Sequence, residues 1–253
     1  MKVFDYLEKV KSEKGAGFLL LIDPDKFEIS ESEEFFSICN RSGVDAFLIG
    51  GSLVKDDFIS QIIVEIKKFS EIPVILFPGG LNQVTGEADA ILFLSLISGR
   101  NPEHLIGKHV LAAPLINRIN LETIATGYML IESGASTTAE YMSGTKPIPY
   151  NKTEIAVATA LAGQYLGLQM IYLEAGSGAE HTVPDRMVRA VTKTLDIPVI
   201  VGGGIRSGEA AQRKVEAGAD FVVVGNFFEY KDNWGEIKEF AKVIHNTGKR
   251  KSK

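Results

Sequence analysis

The apolar positions of this chain fall into short β-branched runs separated by stretches of helical spacing, an alternation kept up almost from end to end. The opening segment, MKVFDYLEKVKSEKG, sets Val3, Tyr6, Leu7 and Val10 on one face of an amphipathic helix. Residues 17–23 (GFLLLID) read as a first buried strand, and 30–42 has helical spacing with Phe35, Phe36 and Ile38. Further strands are expected at 45–50 (DAFLIG), 73–78 (PVILFP), 89–94 (DAILFL), 127–132 (GYMLIE), 169–174 (QMIYLE), 198–202 and 221–225. Helices are expected at 55–69, 102–112, 153–166, 184–195, 207–217 and 233–246. Several open on a cap or first-turn proline, at Asn101-Pro102, Asn151, Val183-Pro184 and Ser207.

Continuous apolar strands alternating with helices predict a parallel sheet covered on its outer face, and eight units fit an α/β fold closed as a (β/α)8 TIM barrel. One unit is irregular. Residues 79–88, between strands three and four, are too few and too rich in glycine for a normal helix, so the barrel is modified, open or altered there, with the helix after strand three altered or missing. A long insert at 95–126 follows strand four and is placed to shape a neighbouring groove. No linker or composition break divides the chain, and residues 1–253 are read as a single domain.

The chain has 253 residues, of which 45% are hydrophobic and 23% charged, enough for a large core. A net charge of −5 and a pI near 5.5 exclude the basic footprint of a nucleic-acid binder, so a phosphate ligand has to be held by local geometry or metal. The lone Cys39 excludes an internal disulfide and a cysteine-cluster metal site, fits a reducing cytoplasm, and reads as a small packing residue on a helix. The N-terminus has no signal-peptide pattern. The longest apolar stretch, 155–173, is broken by Gln164, Gln169 and glycines, so a soluble, cytoplasmic protein is expected. The basic tail at 249–253 reads as a solvated terminus, with contact to an anionic membrane surface as the alternative.

Candidate chemistry gathers where strands end. The stretches IPVIVGGGIRS (197–207) and DFVVVGN (220–226) each finish a strand in glycine, and the first runs on into a helix. A loop without side chains lets backbone N–H groups approach an anion, and a helix N-terminus adds positive potential. Two such phosphate cups on consecutive late strands match a place where barrels often bind phosphate. The plain alternative is that the glycines only permit tight turns.

Side chains at the C-terminal strand ends form the active site of such barrels. That rule selects Asp23, Asp25, Ser52, Glu132, Tyr172, Glu174 and the cups. Tyr172 and Glu174 are two apart on one strand and share a face, with Leu173 opposite, and Ala175-Gly176-Ser177-Gly178 adds a third glycine-rich turn. Asp23 ends LLLID as a hard oxygen suited to Mg²⁺, and Ser52 on the next loop is a second candidate ligand; either alone also suits a cap or turn. His104, His109, His181 and His245 lack metal-ligand spacing and read as surface or helix residues. No strand carries an inward lysine for a Schiff base.

The motifs LIDPDK (21–26), IGGS (49–52), RNPEHLIGKHV (100–110), YLEAGSGA (172–179), VGGGIRS (201–207) and VVVGN (222–226) together resemble the geranylgeranylglyceryl and heptaprenylglyceryl phosphate synthase family. The resemblance runs over nearly the whole chain. It implies a modified (β/α)8 barrel with altered connectivity at strand three, and an Mg²⁺-dependent prenyltransferase of isoprenoid ether-lipid synthesis. In that reaction the C3 hydroxyl of sn-glycerol 1-phosphate attacks C1 of a polyprenyl diphosphate and diphosphate leaves. Carried over, Asp23 and Ser52 resemble the magnesium ligands. Tyr172, Leu173, Glu174, Ala175, Gly176, Ser177, Gly178, Gly203, Gly204, Gly225 and Asn226 resemble the glycerol-phosphate site, with Glu174 as general base and Tyr172 beside it. Leu21 stands where heptaprenyl members carry lysine, which places the chain with the geranylgeranyl branch. The resemblance also implies a homo-oligomer. Two other readings of the same residues are a phosphosugar isomerase or lyase barrel and a non-catalytic phosphate-binding scaffold. A long apolar groove beside the cups, as against a closed polar pocket, separates them.

Overall fold

The computed structural model describes residues 1–51, 54 and 58–251. Eight strands run in chain order: β1 (Gly17–Ile22), β2 (Ala46–Ile49), β3 (Val74–Leu76), β4 (Ala90–Leu96), β5 (Glu122–Leu130), β6 (Met170–Glu174), β7 (Val199–Gly202) and β8 (Phe221–Val224). Each pairs in parallel with the next, and β8 returns to β1 through Gly17↔Phe221 to Leu20↔Val224, closing the barrel.

Strand alternation divides the core in two. Leu19, Leu48, Ile75, Leu92, Ile124, Met170, Ile200 and Phe221 fill the barrel interior. Phe18, Leu20, Phe47, Leu76, Ile171 and Val201 face the surrounding helices. Those helices are α2 (Ser32–Ser42), α3 (Phe58–Phe69), α4 (Lys108–Ile119), α5 (Thr138–Ser143), α6 (Thr153–Tyr165), α7 (Asp185–Thr194), α8 (Gly208–Glu216) and α9 (Ile237–Lys251). In α3, Ile59, Ile62, Ile63 and Ile66 form one fully covered stripe, each side chain worth about 1.5–3 kcal/mol of burial. Cys39 is buried on α2, as expected of a packing residue. Ser207 caps α8, accepting the Ala210 N–H at 3.1 Å.

The amphipathic helix read at the N-terminus, α1 (Val3–Lys14), packs against the barrel interior instead of the outer layer: Val3, Leu7 and Val10 join the inner core. Its first amides, of Val3 and Phe4, donate to the Glu122 carboxylate at 2.7 and 3.0 Å. Glu122 opens β5, so a strand residue supplies the cap that the helix lacks locally and ties it across the lower mouth.

The irregular unit falls where expected. Between β3 and β4 there is one 3-10 turn, Leu81–Gln83, and no α-helix. The barrel nevertheless stays closed there, through Ile75↔Ala90 and Leu76↔Ile91. Buried Gln83 stands in for helical bonding, donating to the Gly51 carbonyl at 2.7 Å and accepting the Gly79 N–H at 3.0 Å. Several boundaries differ from the expected ones, most of all around the insert after β4. β5 begins at Glu122, five positions before 127, because Glu122, Thr123 and Thr126 interrupt the apolar run that would signal it. The insert accordingly ends near Asn120, and its helix runs through a π-turn at Glu103–Gly107 into α4. The short helix α5 was not expected from the sequence.

Candidate active site

Tyr172 and Glu174 both point into the top of the barrel, whereas the Leu173 side chain packs into the outer core, leaving only its backbone to face a ligand. Glu174 is 6% exposed. Its Oε1 accepts the Gly176 N–H at 2.6 Å. The other oxygen faces β7: a Cβ added to Gly202 would lie 2.8 Å from Oε2 and 2.5 Å from the Tyr172 hydroxyl. A Cβ on Gly203, whose φ is +85°, would lie 2.4 Å from Oε1. Two of the three cup glycines on β7 thus make room for the carboxylate and phenol, a reason for glycine that is separate from phosphate approach.

Burial pushes the Glu174 carboxyl up to about 7, against the smaller opposing pull of the Gly176 N–H and the nearby Tyr172 hydroxyl. A carboxyl titrating near neutrality is suited to accept a proton at physiological pH. The Tyr172 phenol is fully buried and, among the described residues, has no partner of good hydrogen-bond geometry. Burial and the adjacent Glu174 charge raise it well above its ordinary value, so it stays protonated. Its ring stacks on Phe77 at 5.4 Å, and Tyr128 meets both edge-on, at 5.7 Å from Phe77 and 5.4 Å from Tyr172.

The three glycine turns lie together. Gly176, Gly178, Gly203 and Gly204 all adopt positive φ, from +69° to +101°. The N–H groups of Gly203 and Gly204 donate to no other described residue, which leaves them available to an anion. Asn226, just past Gly225, accepts from the Ser177 hydroxyl at 2.9 Å and the Gly178 N–H at 3.2 Å, joining its own turn to that of Gly176–Gly178. Its amide donates to Glu229 at 2.8 Å, and Glu229 holds Lys26 at 2.9 Å. Lys26 lies 3.5 Å from Asp23, so the chain of contacts runs from the cups to the end of β1. Leu21 packs its Cβ against Gly225.

The Asp23 carboxylate is about one-quarter exposed, accepts one N–H, from Asp25 at 3.2 Å, and abuts Gly51 on the next loop. Among the described residues no three acidic, histidine or cysteine side chains converge as a self-sufficient metal cage. That donor set fits Mg²⁺, which takes one or two protein oxygens and completes its shell from phosphate and water. Ser52, the other expected ligand, lies outside the described residues. Asp25 is exposed on the same turn, and Glu132 is exposed and holds the Tyr150 N–H at 3.0 Å, a loop contact away from Glu174.

Beside Tyr128 and Phe77 opens a groove with a cavity volume of about 160 Å³, bounded by Gly51, Leu81, Val84, Leu94, Ala112, Ile116 and Met142. Its walls are mainly apolar. It opens beside the 3-10 turn, Leu81–Gln83, that stands between β3 and β4 in place of a helix.

The sequence pattern of the PcrB family matches residues 8–244. This chain belongs to the PcrB family. It is 51% identical over 215 residues to the geranylgeranylglyceryl phosphate synthase of Spirosoma linguale, covering 84% of this chain and 85% of that one. With the synthase of Pyrococcus furiosus it shares 42% identity over 244 residues, 96% of this chain and 95% of the other. Its fold superposes with a TM-score of 0.91, at 32% identity and over 97% and 99% of the two chains, on the Thermoplasma acidophilum (S)-3-O-geranylgeranylglyceryl phosphate synthase solved with sn-glycerol-1-phosphate.

Several features of this PcrB-family barrel escape a reading of the sequence. Phe77 and Tyr128 look like ordinary strand residues, and only barrel closure brings them onto Tyr172. His109 is a helix residue, on α4, as one of its two expected readings had it, but it is not exposed. It is buried in the groove wall, with Nε2 3.2 Å from the Ser95 hydroxyl and its ring edge-on to Phe93, and burial lowers its pKa so that it is neutral. Arg206 donates to the Gly178 and Ala179 carbonyls at 3.3 and 3.0 Å, latching two glycine turns together. The signal for Arg206 was its place inside VGGGIRS.

Proposed function

We propose that this protein is a geranylgeranylglyceryl phosphate synthase, a prenyltransferase joining the C3 hydroxyl of sn-glycerol 1-phosphate to C1 of geranylgeranyl diphosphate. The observation that carries this reading is the position of Glu174, a buried carboxyl pushed up to about 7, beside anion-seeking glycine turns and joined to an apolar groove through the Tyr172, Phe77 and Tyr128 rings. A phosphosugar isomerase would have no use for such a groove, and a passive scaffold would have no use for a tuned carboxyl.

On this reading the glycerol phosphate rests its phosphate on the N–H groups of Gly203, Gly204 and Gly225 and on the Ser177–Asn226 turn. Its C3 hydroxyl then points at Glu174 Oε2. The polyprenyl tail lies in the groove from Tyr128 toward Ile116, with C1 held against the aromatic cluster. As the C3 oxygen bonds to C1, the bond from C1 to the diphosphate oxygen breaks and Glu174 takes the hydroxyl proton. The un-ionised Tyr172 holds its hydroxyl beside the same oxygen. Asp23, with Ser52 as the second oxygen, would hold Mg²⁺, which supplies charge neutralisation for the departing diphosphate. The Phe77, Tyr128 and Tyr172 rings exclude water from the allylic carbon.

Among the described residues no helix is long and apolar enough to cross a membrane. With the lone buried Cys39, this suits work in the cytoplasm on a lipid precursor. The residues Lys249 and Arg250 on the exposed last turn of α9 offer charge for peripheral contact with an anionic bilayer, and a homo-oligomer is part of the same reading.

The test is incubation of the purified protein with Mg²⁺, geranylgeranyl diphosphate and either sn-glycerol 1-phosphate or its 3-phosphate enantiomer, with products read by mass spectrometry. The expected result is an ether of the 1-phosphate and equimolar diphosphate. No ether with any prenyl diphosphate overturns the reading.

A further inference from the structure

The turn that orients Glu174 and the wall of the groove meet at one side chain. A Cβ on Gly176 would lie 2.3 Å from Thr137 Cγ2, so the Thr137 methyl is seated directly on the Gly176 Cα, where φ is +101°. Gly176 in turn supplies the N–H that holds Glu174 Oε1. The Thr137 hydroxyl, farther from the Gly176 Cβ position at 3.2 Å, is the N-cap of α5 and accepts the Glu140 N–H at 3.2 Å. Ala139, Met142 and Ser143 of α5 line the groove. Beneath the same segment lies a second cavity, about 330 Å³ in volume, bounded by Leu130, Ser133, Thr137 and Ala175. The segment thus meets the Gly176 turn through Thr137 and borders a cavity on the same stretch.

We propose that Thr137 is a positioning residue for prenyl transfer, its hydroxyl setting the α5 wall against the prenyl chain and its methyl setting the Gly176 turn that aims the Glu174 carboxylate. The two halves of one side chain serve the two substrates. Filling of the groove presses α5, and through Thr137 the Gly176 turn, so the carboxylate is best aligned once the prenyl chain is in place. The inference rests on the prenyl-transfer reading above.

Two near-isosteric variants separate the halves. Thr137→Val keeps methyl packing on Gly176 but removes the cap acceptor; the expected result is a KM for geranylgeranyl diphosphate raised about fivefold, the usual worth of one N-cap, with kcat little changed. Thr137→Ser keeps the acceptor but removes the methyl; the expected result is a kcat lowered by about three- to tenfold at an unchanged prenyl KM, since loosened alignment acts on the chemical step. Wild-type turnover is measured first, and its absence sinks the prenyl-transfer reading itself. Where the wild type turns over, two variants indistinguishable from it, or two with the same loss in both parameters, overturn the role assigned to Thr137.

Discussion

Glu174 Oε1 is held by the Gly176 N–H at 2.6 Å while Oε2 is left facing Gly202 and the Tyr172 hydroxyl. One oxygen is thus a structural acceptor and the other is free to take a proton. Glu174→Gln keeps the first role and loses the second. The saturated rate of prenyl transfer is expected to fall by about 10²–10⁴, the usual range for a lost general base. Calorimetric affinity for sn-glycerol 1-phosphate is expected to stay within a few-fold, because its phosphate sits on glycine amides. A glutamine variant that keeps its saturated rate removes Glu174 from the chemistry.

The same substitution has a stability signature. Burial raises the Glu174 carboxyl from 4.5 to about 7, so the folded protein binds this proton more tightly than the unfolded chain does. The favourable contribution is complete below about 4.5 and is lost as pH rises toward 7; above that the fold carries a buried charge costing roughly 3 kcal/mol. Glu174→Gln removes the charge and keeps the Gly176 bond. It is expected to melt above the wild type at pH 8, with the gap closing toward pH 5. A pH-independent gap in thermal unfolding would falsify the assignment of a buried, elevated carboxyl.

Asp23 stands at the end of β1 with its carboxylate toward Gly51 and, among the described residues, accepts one N–H, from Asp25. Asp23→Asn retains size and the Asp25 contact but loses the charge that a divalent cation needs. Most activity at ordinary Mg²⁺ is expected to disappear with the melting temperature unchanged, and higher Mg²⁺ is expected to restore part of it. Full turnover of this variant in the presence of EDTA would show that no metal acts through Asp23.

Gly204 has φ +69°, and a Cβ there would lie 3.2 Å from the Ala179 carbonyl at the cup's edge. Gly204→Val places bulk where a phosphate oxygen needs the bare amide. The KM for sn-glycerol 1-phosphate is expected to rise at least tenfold more than that for geranylgeranyl diphosphate. Equal increases for both substrates would mean damage to the barrel as a whole.

Local signals account for most of what the sequence revealed. Seven strands were legible because apolar runs such as FVVV and VIVG are long enough to stand out. β5 was half hidden because Glu122 serves α1 and Thr126 turns its hydroxyl back onto the Ile124 carbonyl, so polar residues occupy a buried strand. The Tyr172–Glu174 pair followed from strand parity and ended where expected. The aromatic cluster, the Thr137 contact and the Lys26–Glu229–Asn226 chain did not, because they join residues up to about two hundred positions apart through closure of the barrel. The glycines of β7 were read for what they offer a ligand; their second reason, clearance for the Glu174 and Tyr172 side chains, depends on distances that no spacing rule contains.

The helix that opens the chain stoppers the lower end of the barrel. With Val3, Leu7 and Val10 seated in the floor and the helix tied to Glu122, the described residues leave open the upper rim and a side slot beside the Leu81–Gln83 turn. On the prenyl-transfer reading, diphosphate and the proton from Glu174 leave upward into water, while the lipid product has its head at the rim and its tail in the slot. Its departure needs an apolar destination, since a tail of that size pulled into water is opposed by the hydrophobic effect along its whole length. The turnover cycle would then end in a lipid hand-off, with a bilayer or carrier setting its pace.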